Sequence, residues 1–318
     1  MRIVLSILAG LAVLAVAIVF GPSKVTVSDE RTGDPALAAL LGEHAQRGHH
    51  HLSAFTMVGD DTTFAGLGAD ENTEFEIGSI TKTFTAELLA RTDDSQTVGE
   101  IIDVPGAPIA DVTLRELADH TSGLPRLGKT NVFRDIYLQM TAGNPYAGHT
   151  RDELLAEVAD SELSQRGEFN YSNLGSALLG HLLAMEAGTT YEELLHDVVL
   201  GPSGMDDSYL MTFGSVPPDA PRGFNAAGRE AEPWEMDSYL PAGGLRSTAA
   251  DMARYARHAT VPDVAWVVRE DGSRAHNGGT FGYSSILIVD RATNKAVYVV
   301  GDTDLGVEDI AYALWGSI

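Results

Sequence analysis

The 318-residue sequence contains no cysteine. This absence excludes disulfide bonds, thiolate nucleophiles, zinc sites built on thiolates and an N-terminal lipid-modified cysteine. Lysine is also scarce, with four residues in the chain, whereas aspartate and glutamate together number 45 and the formal net charge is −24. Because such a surface would repel nucleic-acid phosphates, we expect no nucleic-acid partner.

The length and the apolar content indicate a folded protein. Hydrophobic residues make up 44% of the sequence, so disorder is not expected. A chain of 318 residues is near the upper size for one domain, or it can hold one domain with an inserted helical region.

The N-terminal sequence predicts an export signal. Arg2 precedes an apolar run over residues 3–20, which is longer than a signal-peptide core and near the length of a membrane span. Ala15-Val16-Ala17 offers a cleavage site, but we favour an uncleaved anchor at residues 1–24 over a cleaved signal. Both alternatives place the rest of the chain outside the cytoplasmic membrane, anchored or secreted, and membrane contact is expected through this segment only.

The remaining chain predicts an α/β (α+β) fold. Residues 25–33 form a stalk, and residues 34–318 form the domain, with a mostly helical region at about residues 90–200. Strands at both ends of this domain predict one antiparallel sheet with helices on its faces. The predicted strands and turns include a hairpin at 52–58 and 62–67 and consecutive segments at 265–269, 273–276, 283–289 and 295–300.

A hydroxyl and an amine lie one helical turn apart at a predicted helix start. Residues 79–82 read Ser-Ile-Thr-Lys, and positions i and i+3 share one face of a helix. The Lys82 amine could accept the proton of Ser79 if burial lowers the lysine pKa. The Ser79 N–H would be an unpaired donor at the helix N-terminus. This four-residue pattern alone is common by chance.

Two further polar clusters could act with Ser79. Tyr171 and Asn173 point the same way in an extended segment, and a phenol near an ammonium has a lowered pKa and can serve as a base. A structural tyrosine with an N-cap asparagine is the alternative. His276, Gly278 and Gly279 end a predicted strand, where Gly279 could present its N–H to an oxyanion. A solvated histidine in a turn is the alternative there.

Taken in order, these stretches resemble the serine β-lactamase and penicillin-binding-protein family. The resemblance is closest to the class C-like branch, with its esterases, D-aminopeptidases and D-alanyl-D-alanine carboxypeptidases. It covers residue 34 to the C-terminus. It rests on Ser79–Lys82, Tyr171–Asn173, His276–Gly278 and the flanking segments at 75–78, 119–125 and 242–248.

The resemblance implies roles for these residues. Ser79 would be the acylated nucleophile, and Lys82 and Tyr171 would handle its proton. Asn173 would hold Lys82 and the substrate. The reaction would be hydrolysis of an ester or amide through an acyl-enzyme, on a small molecule or a peptide, including cell-wall peptides, and it would need no cofactor or metal.

His276 and Gly279 complete the implied site, with two departures from the family pattern. The Ser79 and Gly279 N–H groups would form the oxyanion hole. His276 replaces the lysine of the third motif and would be largely neutral at pH 7, which favours an esterase or peptidase over β-lactam recognition. The stretch between Tyr171 and His276 also looks short for the class C branch. A class A deacylating glutamate is not evident, so Tyr171 would activate the water.

Two other possibilities are weighed against this function. A catalytically silent cell-envelope binding module could keep the same pocket, although the intact Ser79, Lys82 and Tyr171 argue against it. The run His49-His50-His51 could bind a metal, but successive residues of a strand point to opposite faces, so we expect these histidines to be solvated. His120 is expected near the site, in a lining or a structural role.

Overall fold

The computed structural model describes residues 25–129 and 131–318. The predicted anchor or signal at residues 1–24 lies outside the described residues. Within the two described ranges, no helix is both long and apolar enough to cross a membrane.

The described residues form ten strands in two antiparallel sheets. The strands are β1 (Arg31–Gly33), β2 (Leu52–Val58), β3 (Asp61–Leu67), β4 (Glu74–Glu76), β5 (Tyr209–Leu210), β6 (Leu245–Thr248), β7 (Val267–Val268), β8 (Arg274–Gly279), β9 (Ser284–Asp290) and β10 (Lys295–Gly301). The large sheet has the order β1-β3-β2-β10-β9-β8-β7, and the small sheet has the order β4-β6-β5.

The order of the large sheet brings the two ends of the domain together. Strand β2 pairs with β10 along its whole length, from Leu52 opposite Gly301 to Val58 opposite Lys295. The central strands β2, β9 and β10 are buried at nearly every position. A strand that is covered on both faces carries apolar residues on both sides, which explains why these segments lack clear alternation. The predicted antiparallel sheet with helices on both faces is therefore confirmed.

Helices occupy both faces of this sheet. They are α1 (Pro35–His44), α2 (Thr81–Leu89), α3 (Val98–Ile101), α4 (Leu114–Ala118), α5 (Val132–Thr141), α6 (Arg151–Ala159), α7 (Asn173–Glu186), α8 (Tyr191–Leu195), α9 (Gly201–Ser203), α10 (Leu240–Gly243), α11 (Ala249–His258) and α12 (Glu308–Gly316), with 3₁₀ turns at Gly78–Ile80 and Pro108–Asp111 and a π turn at His196–Leu200. Side-chain caps set their starts. The Asp34 carboxylate accepts the N–H groups of Ala36 and Leu37, and Thr248 accepts that of Asp251.

The core has two main parts, one on each face of the large sheet. The smaller part joins the sheet to α1 and α12, through residues such as Leu41 and Leu314. The larger part joins the opposite face to α2, α7 and α11. Helix α7 is buried from Leu174 to Ala184, which makes it the central helix of this larger part.

The small sheet departs from the single sheet that we predicted. Residues 245–248 are extended and pair with Glu74–Glu76 on one side and Tyr209–Leu210 on the other. The predicted strand at 265–269 is reduced to Val267–Val268. Strand β4 leads directly into the Gly78–Ile80 turn, so the small sheet sets the position from which α2 begins.

Candidate active site

Ser79 lies at a contact between two segments that are distant in the sequence. It is the second residue of the 3₁₀ turn that precedes α2. Gly78 has φ +52°, and a Cβ there would lie 2.6 Å from the Gly279 nitrogen, so only glycine allows this approach. Ser79 is partly exposed whereas its neighbours are buried, so its hydroxyl faces a cavity.

Lys82 lies beneath Ser79, in the first turn of α2. Its side chain is 2% exposed, its Nζ lies 2.9 Å from Ser79 Oγ, and it donates to the Ala242 carbonyl at 2.6 Å. Burial holds the Lys82 pKa well below its ordinary value, and the nearby positive charge of Arg126 lowers it further. A neutral amine at this distance can accept the serine proton.

Tyr171 approaches Ser79 from the other side. Its hydroxyl lies 2.9 Å from Ser79 Oγ, and its ring centroid lies 5.1 Å from Lys82 Nζ. Burial raises the Tyr171 pKa, although the hydrogen bond to Ser79 and the charge of Arg126 oppose the rise. The prediction that the Tyr171 pKa is lowered is therefore wrong, because the effect of burial outweighs that of the neighbouring positive charge. Tyr171 is a protonated donor, and Lys82 is the group suited to act as the base.

Asn173 is the first residue of α7 and lines the cavity. The helix is capped by Ser172, whose hydroxyl accepts the Gly175 N–H, so the alternative of an asparagine N-cap is wrong. The buried Asn173 Oδ1 has no hydrogen-bond partner among the described residues. It does not hold Lys82 as expected, and the Ala242 carbonyl does so instead. The amide oxygen is thus a buried acceptor without a partner in a residue that lines the cavity.

In the third cluster, His276, Gly278 and Gly279, only Gly279 reaches the cavity. His276 is buried and donates from Nδ1 to the Asn277 carbonyl at 2.7 Å. Burial, helped by the charge of Lys82, lowers the His276 pKa to about 3, so the side chain is neutral at pH 7 and is not a solvated turn residue. A Cβ on Gly278 would lie 1.9 Å from the Ile77 carbonyl, so β8 needs glycine to approach this segment. Gly279 lines the cavity, whereas His276 does not.

The cavity has a volume of about 590 Å³. One part of its lining, which we call the catalytic wall, consists of Ser79, Asn173, Ala242 and Gly279. A second part is aromatic. Trp234 lies at its centre, with its ring 5.2 Å from both the Tyr146 and the Phe281 rings. The aromatic residues were missed by the sequence analysis because they come from separate loops without a motif.

Arg126 is the second feature that the sequence analysis missed. Its guanidinium lies 5.1 Å from the Tyr171 ring centroid and lines the cavity, and its side chain has no hydrogen bond or ion pair within residues 25–129 and 131–318. The Arg126 carbonyl accepts the Asn173 N–H at 2.9 Å. This bond joins the 119–125 loop, which we had noted as a flank, directly to the second motif.

His120 holds Tyr171 in place. It is buried with φ +59°, its Nδ1 accepts the Ser172 N–H at 3.2 Å, and its ring centroid lies 4.5 Å from that of Tyr171. Burial, with the charge of Lys82, lowers the His120 pKa to about 4. The structure therefore places His120 behind the reacting groups, and it does not line the cavity.

Of the three consecutive histidines, His49 is buried, which corrects our expectation that all three are solvated, whereas His50 and His51 are partly exposed. His49 is 1% exposed, its Nδ1 accepts the Gln46 N–H, and its Nε2 lies 3.2 Å from the Gly306 carbonyl. His50 and His51 both contact Asp302. The three rings do not all converge on one group, as strand alternation predicted. His50 and His51 nevertheless share a target, because both precede β2, which begins at Leu52.

Several known proteins that are similar to this chain in sequence or in structure are named as β-lactamases. A β-lactamase of Providencia stuartii is 28% identical over 203 residues, which are 59% of this chain and 47% of the relative. The chain spans about half the length of the curated relatives that it matches first. Among solved structures, a class C β-lactamase in complex with cefoxitin has a TM-score of 0.72 at 18% identity, covering 89% of this chain and 99% of that one.

A second solved structure broadens the range of chemistry associated with this fold. The D-amino acid amidase of Ochrobactrum anthropi has a TM-score of 0.69 at 20% identity, covering 89% of this chain and 99% of that one. The profile of the family described as "Beta-lactamase" matches residues 37–312. This chain therefore belongs to the β-lactamase family of serine hydrolases.

Proposed function

We propose that this protein hydrolyses an ester or an amide through an acyl-enzyme on Ser79. The observation that carries the proposal is the pair of contacts that Ser79, at the floor of an open cavity, makes with Tyr171 and with Lys82. Lys82 Nζ donates to Ser79 Oγ and to the Ala242 carbonyl, and the Tyr171 O–H donates to Ser79 Oγ. A neutral Lys82 amine can reverse the first of these bonds and accept the serine proton.

Acylation begins with attack of Ser79 Oγ on the substrate carbonyl. The serine proton passes to Lys82, whose lowered pKa keeps it neutral before this step. The resulting oxyanion would be bound by the N–H groups of Ser79 and Gly279, each worth on the order of 3 kcal/mol in the transition state. Gly78 and Gly278 allow the close backbone approach that brings these two donors together.

Release of the leaving group needs a proton, and Tyr171 is placed to supply it. Its hydroxyl is protonated and lies beside Ser79 Oγ. The Lys82 ammonium then returns a proton to Tyr171, so the acyl-enzyme forms with the amine neutral again. Water attacks the ester carbonyl in the second step, with the same groups moving the proton in the reverse direction.

The lining of the cavity suggests which substrates fit. The aromatic residues around Trp234 favour an apolar or aromatic group on the substrate. Asn173 Oδ1 offers an acceptor for an amide N–H, and Arg126 offers a cation for a carboxylate or a carbonyl oxygen. His276 is neutral and buried, so it is not the group that binds an anion. Small esters and short peptide amides satisfy these features.

Intact-protein mass spectrometry tests the proposal. The full chain is treated with a fluorophosphonate and, separately, with a penicillin. We expect a mass increase of one adduct with the fluorophosphonate, located by peptide mapping at Ser79 and lost in Ser79→Ala. An adduct with the penicillin would extend the substrate range to β-lactams.

A matched control is Ser95→Ala, because Ser95 is a serine in a surface turn. Ser95→Ala should label like the wild type. A folded wild-type protein without any adduct would overturn the proposal and favour a silent binding module, which keeps the cavity and turns nothing over.

A further inference from the structure

His50 and His51 converge on one carboxylate away from the cavity. The Nδ1 atoms of His50 and His51 lie 2.9 and 3.0 Å from the same oxygen of Asp302, Oδ2. The two rings lie side by side with centroids 3.7 Å apart and an interplanar angle of 31°. The three potential ligand atoms lie within 4.8 Å of one another. His50 and His51 can both contact Asp302, although they are consecutive, because they lie before the pleated strand β2 begins.

The orientation of Asp302 is held by other contacts. Its second oxygen, Oδ1, accepts the His51 backbone N–H at 2.8 Å, so Oδ2 remains directed at the two imidazoles. The Asp302 side chain is 5% exposed, whereas those of His50 and His51 are 26% and 36% exposed. The carboxylate is therefore fixed and buried, and the imidazoles are open to solvent. An ion could reach this cluster from the histidine side.

The spacing of the ligand atoms suits a divalent ion. An ion about 2.1 Å from each atom, the usual length of bonds from transition metals to imidazole and carboxylate, would see the carboxylate and each imidazole at an angle of about 90°. That angle is the one between neighbouring ligands of an octahedral ion. Two imidazoles and one carboxylate suit first-row transition metals better than magnesium or calcium, which prefer oxygen ligands.

The local charge favours a cation as well. Asp302 is a buried carboxylate, and the Glu30 carboxylate lies near enough to interact electrostatically with His51. No lysine or arginine forms an ion pair with Asp302 among the described residues.

We propose that His50, His51 and Asp302 form a binding site for a first-row divalent transition-metal ion. Each imidazole would bind through Nδ1, with its proton on Nε2, and water would occupy the remaining positions. The site takes no part in the acyl transfer. Its effect would be structural, because it joins the segment before β2 to the end of β10.

The same site supports a loop that leads back to the cavity. The Asp302 carbonyl accepts the Phe224 N–H at 2.9 Å, and the backbone at Gly223 touches that of Gly282, next to the cavity residue Phe281. Metal binding would therefore stabilise the loop beside the aromatic part of the cavity.

Titration of the metal-free full chain with Co²⁺ and Zn²⁺ tests this proposal. The protein is purified without a polyhistidine tag, and binding is measured by calorimetry and by the visible absorption of Co²⁺. We expect one ion per chain and a rise in Tm that grows with metal concentration. His51→Ala and Asp302→Asn should each weaken binding at least about tenfold, since even outer partners of metal ligands contribute that much.

His196→Ala is the matched control. His196 also contacts an aspartate through Nδ1, at 3.1 Å from Asp197, but this exposed pair lacks a second histidine. This variant should bind the ion as tightly as the wild type. If Asp302→Asn fails to fold, His50→Gln gives the same test at a more exposed ligand. Absence of binding at 1 mM metal, or binding that His51→Ala leaves unchanged, would show that the cluster is a hydrogen-bonded ion pair only.

Discussion

The catalytic wall of the cavity and the wall opposite it differ in what lies behind them. Behind Ser79 lie the buried Lys82 and the larger part of the core. The opposite wall, which we call the outer wall, includes Arg134, Asp135 and Leu138 of α5, a helix without a single buried residue. Ser79 and Lys82 are thus held in place by the core, whereas the outer wall can change with little loss of stability.

The apolar side of α5 makes the contrast sharper. Five apolar residues on this side are between 51% and 86% exposed, and Phe133 is the most exposed of them. The helix is nevertheless well formed, because Asn131 caps it and its C-terminus closes on Ala142 in the left-handed region. Caps and a bond from the Glu232 N–H to the Ala142 carbonyl hold the helix ends, without the side-chain burial that stabilises α7.

The largest effect should come from removing the base on the catalytic wall. Lys82→Met should lower kcat about 10³-fold in ester hydrolysis, because Ser79 then has no group to accept its proton. Lys295→Met is the control, since Lys295 lies at the start of β10 and does not line the cavity, and it should change kcat less than twofold. Steady-state kinetics measure both. If Lys82→Met kept a tenth of the activity, the assignment of the base would be wrong.

The stability of the protein at acidic pH tests whether His120, which contacts Tyr171, is buried and neutral in the folded protein. The His120 pKa of about 4 lies below the ordinary value of 6.5, so the unfolded chain binds the proton more readily between these values. The free energy of unfolding should therefore fall as pH decreases from about 6.5 to about 4, by up to about 3 kcal/mol from this group. Urea unfolding at several pH values measures it.

His120→Asn should reduce this pH dependence, because asparagine tolerates the positive φ and does not titrate. His196→Asn changes an exposed histidine and should leave the pH dependence as in the wild type. An unchanged slope in His120→Asn would mean that His120 is not held neutral in the folded protein.

Arg126 lies between the two walls, and its removal should have a selective effect. Arg126→Gln should lower kcat/KM about tenfold for substrates with a carboxylate and less than threefold for neutral esters, since a charge-assisted hydrogen bond is lost. The acidic limb of the pH–rate profile should also move to higher pH, because the charge of Arg126 lowers the Lys82 pKa. Equal losses for both substrates, without a shift of this limb, would contradict this role.

The smallest effect is expected at the outer wall. Replacing Phe133 and Met140 together by serine should change the free energy of unfolding by less than about 0.5 kcal/mol, because both side chains are exposed. Leu178→Ala in the buried α7 should cost about 2–5 kcal/mol in the same urea experiment. A large loss in the α5 variant would show that this face is covered in solution.

Much of the fold was predictable because its signals are local. The β2–β3 hairpin, the caps Asp34 and Thr248, and the paired strands near the C-terminus follow from short patterns of turn and apolar residues. Strand β6 was missed, since its four residues pair with segments that are far away in the sequence.

The sequence predicted which residues form the site better than it predicted their protonation states. Ser79, Lys82 and Tyr171 lie together as their resemblance to known motifs implied. The protonation of Tyr171 was predicted wrongly, because burial is a property of the folded chain and outweighs the neighbouring charge. Arg126 and Trp234 were missed since their roles depend on which loops meet around the cavity.

The contact between Gly78 and Gly279 has a consequence for biosynthesis. The two residues are adjacent in space, but a ribosome makes the first about two hundred residues before the second. Ser79 and Lys82 can therefore form their helical turn early, whereas the Gly279 N–H, the second donor of the proposed oxyanion hole, arrives only when β8 joins the sheet. During translation the nascent chain would carry the proposed nucleophile in an incomplete site, and the proposed activity would begin only with the final strands of the sheet.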